Sequence, residues 1–358
     1  RQRQMCIRDR SSSANNIVLV ESGKQYKVLT LTDCFEYDEQ TYNYYGTYSF
    51  TGTKIEQAVV TAILNVTTDD KVVVDMIKGN NEQDYSSLKS LLENNAYQVN
   101  EVSLATGDFD KDAKVAIMYA PSVDLDEKIV EKLSTWLSND GKYGRSLIYV
   151  PTADMGEMPN LDDFLKEWGM SIDRGYVFET DETALVNASS PYAFTVSYGD
   201  YYKDNLKNSK IPVVVSESHA VNITDENTAH ALLKTTNKAG VLPIDADKSW
   251  DYKDAITGNG ENVAAEGVMT NEDKKSSKVV VFGSYVMFSD TIMQYNSFNN
   301  SAYFMNVINT IADKEDVGIT IESKSIDNTE LGITDVATQN TMLVVFVIVI
   351  PIAILVAG

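Results

Sequence analysis

Cysteine and histidine are scarce in this sequence of 358 residues, and their scarcity excludes several chemistries. Of the two cysteines, one lies in an atypical leader and Cys34 stands alone in the rest of the chain, so no internal disulfide is expected. We interpret Cys34 as a small buried apolar residue. The two histidines, His219 and His230, have no recognisable catalytic partner motif. Two histidines and one cysteine also give no transition-metal constellation, so no metal is expected.

Positive charge is scarce too, since 30 Lys and Arg stand against 52 Asp and Glu, a formal net charge of −22. Residues 1–10 read RQRQMCIRDR and are the exception. They resemble translated sequencing-adapter sequence rather than a signal peptide, because no apolar segment follows. We interpret them as a non-native leader, with a basic tail as the alternative. Leaving out their four Arg and one Asp moves the charge to −25, which disfavours nucleic acid as a partner.

The longest hydrophobic run lies at the end of the chain. Residues 342–357 read MLVVFVIVIPIAILVA, without a charged side chain. With one residue on either side the run would form a helix of about 27 Å, close to the hydrocarbon thickness of about 30 Å. The sequence therefore predicts a truncated membrane-spanning helix over 341–358, and the alternative is a buried core element. The linker 323–340 has no Lys or Arg after Lys324, which favours an extracytoplasmic location for the preceding chain.

Short Val-rich runs alternate with amphipathic helical patterns through most of the chain. Buried strands are predicted at 72–77, 115–120, 146–151 and 278–283. Helices with an apolar stripe are predicted between them. This alternation predicts an α/β fold with a mainly parallel sheet flanked by helices.

The less regular parts of the sequence set the expected domain boundaries. Residues 11–50 are expected to be a β-rich lead-in or the remnant of a truncated first domain, and 51–322 the extracytoplasmic α/β domain. Within it, 181–275 is expected to be an irregular β-rich insertion, with strands at 211–215 and 230–236.

Neither candidate catalytic turn has the residues that a hydrolase needs. The turns after two buried strands read Tyr-Ala-Pro-Ser at 119–122 and Val-Pro-Thr-Ala at 150–153. A nucleophile on a sharp turn needs small residues around it, whereas Pro121 and Pro151 stand where the turn needs freedom. The sequence therefore predicts a protein that is not an enzyme, with no catalytic residues.

Two further motifs fail the tests for a ligand site. Residues 108–112 read D-F-D-K-D, like the opening of a calcium loop, but Ala113 stands where Gly belongs and Tyr119 where Glu belongs. The segment 79–82, Gly-Asn-Asn-Glu, follows a strand without the spacing of a phosphate-binding loop. We interpret the first as a solvated loop and the second as a turn, and we expect no bound cofactor.

Three segments together resemble the extracytoplasmic domain of GldG-type ABC-transporter auxiliary proteins, a gliding-motility-associated family. Residues 50–82, FTGTKIEQAVVTAILNVTTDDKVVVDMIKGNNE, resemble its entry, with Asn80 where the family has His. Residues 115–150 resemble its strand–Pro–helix–strand core. KVVVFGSYVMFSD at 278–290, followed by 299–315, resembles its closing strand and helix.

The resemblance implies a class I amidotransferase-like fold that has lost its catalytic residues. It also implies a second, N-terminal membrane span that is missing here, and an ABC permease and ATPase as partners. The expected function is therefore a non-enzymatic membrane-anchored auxiliary subunit of an ABC transport system. The alternatives are a cell-surface module that binds sugar or peptide, or an amidotransferase-like hydrolase.

Overall fold

The computed structural model describes residues 18–314 apart from 69–70, 205, 207, 248 and 294–296, together with 324–326, 341, 344 and 345. The predicted leader 1–10, and most of the linker 323–340 and of the predicted span 341–358, lie outside the described residues. Among the described residues, no helix is both long and apolar enough to cross a membrane.

The chain divides into two units, and the first comprises Arg1–Val66 with Ile319–Gly358. Its described elements are β1 (Val18–Ser22), β2 (Gln25–Leu29), α1 (Leu31–Cys34), β3 (Phe35–Tyr37), α2 (Glu39–Tyr45), β4 (Phe50–Thr53), α3 (Ile55–Thr67) and β19 (Lys324–Ser325). Strands β1 and β2 form an antiparallel hairpin, and β4 pairs with β3 and β19. Cys34 is buried with Leu29 and Ala62 in a small apolar core, which confirms its predicted apolar role.

The second unit, Thr67–Gly318, is a mixed α/β domain around one large sheet. Its sheet strands are β5 (Val72–Ile77), β6 (Tyr97–Val102), β7 (Ala113–Tyr119), β8 (Ser146–Val150), β11 (Leu185–Asn187), β12 (Ser190–Tyr198), β13 (Val213–Ser216), β15 (Ala229–Lys234), β17 (Asn262–Thr270) and β18 (Ser276–Phe282). Two small pairs accompany it, β9 (Met170–Ile172) with β14 (Val221–Ile223) and β10 (Tyr176–Phe178) with β16 (Gly240–Leu242).

The sheet is parallel in one half and antiparallel in the other. Strands β6, β5, β7, β8 and β18 lie side by side in parallel, so the four strands predicted from Val-rich runs are confirmed as neighbours. Beyond β18 the order continues through β17, β15, β12 and β11, each antiparallel to the last, and β13 also pairs with β12. The expectation of a mainly parallel sheet holds for the first half of the domain.

The segment 181–275 is not an irregular insertion, because it builds the antiparallel half of the main sheet. The two strands predicted within it are confirmed in β13 and β15. Strands β12 and β17, which the sequence did not predict, are the longest in the sheet at nine residues each. They form because each has a partner on both sides, which compensates for Pro, Gly and Ala in their sequences.

Helices cover both faces of the sheet and bury its apolar side chains. The helices of this unit are α4 (Ser86–Asn94), α5 (Glu127–Ser138), α6 (Pro159–Glu167), α7 (Tyr252–Ala255), α8 (Asp290–Met293) and α9 (Asn300–Ile311). Leu88 and Leu92 of α4 share one core with Phe304 and Ile308 of α9. Helices α5 and α6 contribute to the core on the other face. This three-layer arrangement leaves the carboxyl ends of the parallel strands as the edge where a ligand site is expected.

Candidate functional site

The turn after β5 is closed by its own glutamate. The Glu82 carboxylate accepts hydrogen bonds from the backbone N–H groups of Gly79 at 3.1 Å and Asn80 at 2.9 Å, and from the Asn80 side chain at 3.1 Å. These bonds join residue 82 back to residues 79 and 80, so the segment 79–82 forms a turn, as predicted. Glu82, the fourth residue of this turn, closes the turn through its side chain.

The turn after β7 packs against the turn after β5. Ser122 donates its backbone N–H to Asn80 O at 3.1 Å and its hydroxyl to Asn81 O at 3.1 Å, so its oxygen is engaged in holding the two turns together. Ala120 is fully buried and has φ of +46°, a left-handed conformation that favours glycine. The strained position at the strand end thus carries a methyl group rather than a nucleophile.

His219 lies at the same edge, next to the turn after β8. Its Nδ1 is 3.0 Å from Gly175 O and its Nε2 is 3.0 Å from Thr152 O, and the side chain is buried. A histidine that acts as a general base needs a ring nitrogen facing the proton that it removes. Both nitrogens here face backbone carbonyls, and the nitrogen that carries the proton donates to its carbonyl, so the ring contacts the loop after β8 and the residue before β10.

The acidic segment 108–112 is held by a buried carboxylate. Asp75 of β5 accepts the backbone N–H of Asp110 at 2.7 Å, and burial raises the pKa of Asp75 above its ordinary value. Phe109 stacks on Trp136 of α5 with ring centroids 4.4 Å apart. Over the described ranges no group of three or more His, Cys, Asp or Glu side chains is placed to hold a metal ion.

His230 belongs to a cluster around Glu266, within the antiparallel half of the sheet. Glu266 is buried, and its carboxylate accepts hydrogen bonds from Lys278 Nζ at 3.1 Å and from the Tyr202 hydroxyl. His230 Nε2 lies 3.3 Å from Glu266 Oε1, and the His230 ring stacks on Tyr201 with centroids 3.6 Å apart. The cluster carries one carboxylate among several donors, which suits structural charge pairing.

An aromatic cavity of about 290 Å³ lies elsewhere on this domain, where β10, β12 and α7 meet. It is lined by Phe178, Thr180, Pro191, Tyr192, Trp250 and Tyr252. The buried Phe178 ring lies 5.9 Å from that of Trp250 and 6.4 Å from that of Tyr252, at interplanar angles of 89° and 84°. The rings of Trp250 and Tyr252 are therefore both nearly perpendicular to the ring of Phe178.

Two residues beside the cavity explain how it is built. A side-chain carbon added at Gly240 would lie 2.7 Å from Ala255 O and 2.9 Å from Phe178 Cζ, so only glycine lets α7 pack this close. Glu179 is fully buried and accepts hydrogen bonds from the backbone N–H groups of Thr180 and Thr236, which join the two loops. The sequence did not predict this site, because its lining comes from segments about sixty residues apart.

Comparison with known proteins places the chain by fold. No protein-family profile and no curated protein matches it. Among solved structures, it is similar to the mmIFT52 N-terminal domain, at 14% identity and a TM-score of 0.50, over 69% of this chain and 100% of that one. A glutamine amidotransferase from Thermotoga maritima matches at 8% identity and a TM-score of 0.40, over 68% of this chain and 100% of that chain.

PurLQS, also from Thermotoga maritima, matches at 11% identity and a TM-score of 0.34, over 68% of this chain and 100% of that one. At these identities the first match shows a shared mixed α/β fold and nothing about activity. The two matches with lower TM-scores carry no argument about function.

Proposed function

We propose that this chain is a non-enzymatic auxiliary subunit of an ABC transport system, and that its α/β unit acts by binding outside the membrane. The main support comes from the carboxyl ends of the parallel strands, where open α/β sheets usually carry their active sites. The polar side chains at these strand ends make structural contacts. There His219 contacts two backbone carbonyls, and Glu82 and Ser122 are engaged within and between turns.

The proposal also includes the type of α/β fold. We interpret the parallel half of the sheet as a class I amidotransferase-like core in which the strained residue, Ala120, is no longer a nucleophile. This agrees with the sequence resemblance to GldG-type proteins, whose domain is expected to have lost its catalytic residues. The membrane span over 341–358 is proposed from the apolar run 342–357, and an associated permease and ATPase are proposed from that resemblance.

A second candidate is a cell-surface ligand-binding module that works without a transporter. The aromatic cavity favours it, because concave sites lined mainly by aromatic side chains are typical of ligand binding. The two candidates share a binding role and differ in the partner.

The partner decides between the two candidates. The full chain, carrying an affinity tag, is purified from its native membranes in a maltoside detergent, and the recovered proteins are identified by mass spectrometry. We expect the permease and the ATPase encoded beside this gene to be recovered in comparable amounts. A lone monomer, with no transporter genes adjacent to its own, would overturn the transporter proposal and leave the binding module.

A hydrolase is tested separately on the same preparation. We expect no release of ammonia from glutamine, because the polar side chains of His219, Glu82 and Ser122 at the carboxyl edge are engaged in structural contacts. Release that is lost in a His219→Asn variant of unchanged melting temperature would contradict the non-enzymatic proposal.

A further inference from the structure

The aromatic cavity has the dimensions of a site for a small group. Its volume of about 290 Å³ lies at the lower end of the range of roughly 300–1,000 Å³ for ligand pockets. Phe178 is buried, whereas Trp250 is partly exposed and Tyr252 is 47% exposed, so the cavity has a fixed inner ring and two outer walls. A group that enters it meets several aromatic faces together.

The lining chemistry disfavours a sugar. None of the six lining residues carries a charge or an amide. Thr180 is the aliphatic hydroxyl among them, and it already donates to Lys238 O at 2.7 Å. Apart from the hydroxyls of Tyr192 and Tyr252 and the N–H of Trp250, the lining side chains offer a sugar no partner, so a sugar that entered would leave some hydroxyl groups unpaired, which costs free energy for each group. A ligand group that needs no hydrogen bond fits this lining better.

The charge around the cavity favours a cation. Glu179, between the lining residues Phe178 and Thr180, is fully buried, and its oxygens accept hydrogen bonds from Thr180, Asp181 and Thr236. The segment that supplies Trp250 and Tyr252 carries Asp245, Asp247, Asp251 and Asp254 against Lys248 and Lys253, so acidic residues outnumber basic ones there. Together with a net charge of −22, this surface attracts cations and repels anions.

Aromatic faces bind cations that cannot form hydrogen bonds. The negative face of Trp, and less strongly of Tyr and Phe, attracts a cation within about 6 Å of the ring centroid, and quaternary ammonium groups are recognised by several such rings. A cation of the chain itself illustrates this, because Lys253 Nζ lies 5.9 Å from the Tyr252 centroid.

We propose that the cavity between Phe178, Trp250 and Tyr252 binds a quaternary ammonium group, such as that of choline, betaine or a trimethylated lysine. This inference rests on the proposed binding function and names its ligand class. The ammonium group would lie against the three rings.

Choline and its neutral isostere, 3,3-dimethylbutan-1-ol, test the inference directly. Binding to the full chain is measured by calorimetry and by Trp fluorescence, in a maltoside detergent that has no choline headgroup. The two ligands have the same shape and differ in charge. We expect choline to bind at least about tenfold more tightly than the isostere, because only the cation gains from the ring faces. Equal affinities, or no binding of choline at millimolar concentration, would overturn the inference.

Variants assign the binding to the cavity. Trp250→Leu and Tyr252→Leu keep an apolar lining but remove a ring, and each is expected to weaken choline binding by about tenfold. Tyr252→Phe keeps the ring and is expected to bind normally. Tyr44→Leu, which removes a tyrosine that is 86% exposed in the other unit, is the matched control. Melting temperatures identify any variant that fails to fold, and equal choline affinity in folded Trp250→Leu would overturn the assignment.

Three further ligands distinguish the sources of the group and the main competitor. Free betaine, a trimethyl-lysine peptide and phosphatidylcholine vesicles present the same ammonium group as a solute, a peptide or a lipid. A proline-rich peptide tests the other use of an aromatic groove. Tighter binding of that peptide than of every ammonium ligand would overturn the inference. Recovery of the permease without ammonium binding would refute this inference alone, whereas failure of both experiments would refute the proposed function too.

Discussion

Glu266 shows how one buried charge is accommodated in a sheet. It lies near the middle of β17 at 1% exposure, and His230 is directly opposite it on β15. Lys278, on the neighbouring β18, and the hydroxyl of Tyr202 complete its surroundings. A buried carboxylate without such partners would be strongly destabilising. The carboxylate therefore has a partner on each of the two strands that flank β17.

The pKa of Glu266 gives a pH-dependent prediction. Burial alone would raise the pKa, but His230, Lys278 and Tyr202 outweigh it and hold the pKa below its ordinary value. A carboxyl whose pKa is lowered by folding stabilises the fold above its unfolded pKa of about 4.3 and loses that contribution as pH falls through the folded value. We expect Glu266→Gln to cost about 3 kcal/mol of unfolding free energy at pH 7, measured by urea denaturation, and progressively less as the pH falls below about 4.3.

Glu261, at the start of the same strand segment, is the matched control. Burial and the neighbouring Asp173 raise its pKa, so its ionised form is disfavoured in the folded chain. Glu261→Gln is therefore expected to leave stability unchanged or slightly higher at pH 7. A Glu266→Gln cost that stays the same from pH 7 to pH 3.5 would contradict the role given to the ionised carboxylate.

Helix α6 is capped by a residue from another segment. Met158, which precedes it, makes no capping hydrogen bond. Instead, the Asp124 carboxylate accepts the backbone N–H groups of Asn160 at 3.0 Å and Leu161 at 3.2 Å. A carboxylate at this position satisfies unpaired donors and interacts favourably with the helix dipole.

We expect Asp124→Ala to lower the unfolding free energy by about 1–2 kcal/mol, because two helix donors lose their acceptor. Hydrogen exchange should accelerate in Pro159–Glu167 and remain unchanged in Glu127–Ser138. Asp126 is the control, since its side chain caps α5 through Lys128 N at 2.9 Å. Asp126→Ala should cost about 1 kcal/mol and accelerate exchange in α5 instead. Identical exchange patterns in the two variants would refute the assignment of the caps.

The parallel strands were predictable from the sequence, whereas several antiparallel ones, including β12 and β17, were not. A parallel strand covered on both faces is a continuous apolar run, as VVVDMI of β5 shows. Strand β17 reads NVAAEGVMT, in which Ala, Glu and Gly disfavour a strand, and its extended form depends on pairing with β15 and β18. Strand β12 has Pro191 as its second residue, and a proline in an apparent strand argues against predicting one.

The candidate cavity depends on tertiary structure in the same way. Trp250 and Tyr252 look like loop residues in the sequence, and Phe178 looks like part of a short apolar run. They meet because β10 pairs with β16 and because Gly240 admits the segment that ends at Ala255. No local pattern encodes that approach, whereas the residues that a nucleophile turn would need are local and could be checked in the sequence alone.

At the scale of the whole molecule, the sequence predicts attachment to a membrane. The apolar run 342–357 has no charged residue, and one Arg near the centre of such a helix opposes insertion by about 2.5–3.5 kcal/mol. We expect the full chain to stay with membranes after extraction at alkaline pH, and the double variant Val347→Arg, Ile350→Arg to be released. Thr338→Glu with Gln339→Glu, just before the run, is the control and should be retained, because acidic flanks affect insertion little. Release of the unaltered chain would show that the run does not span a bilayer.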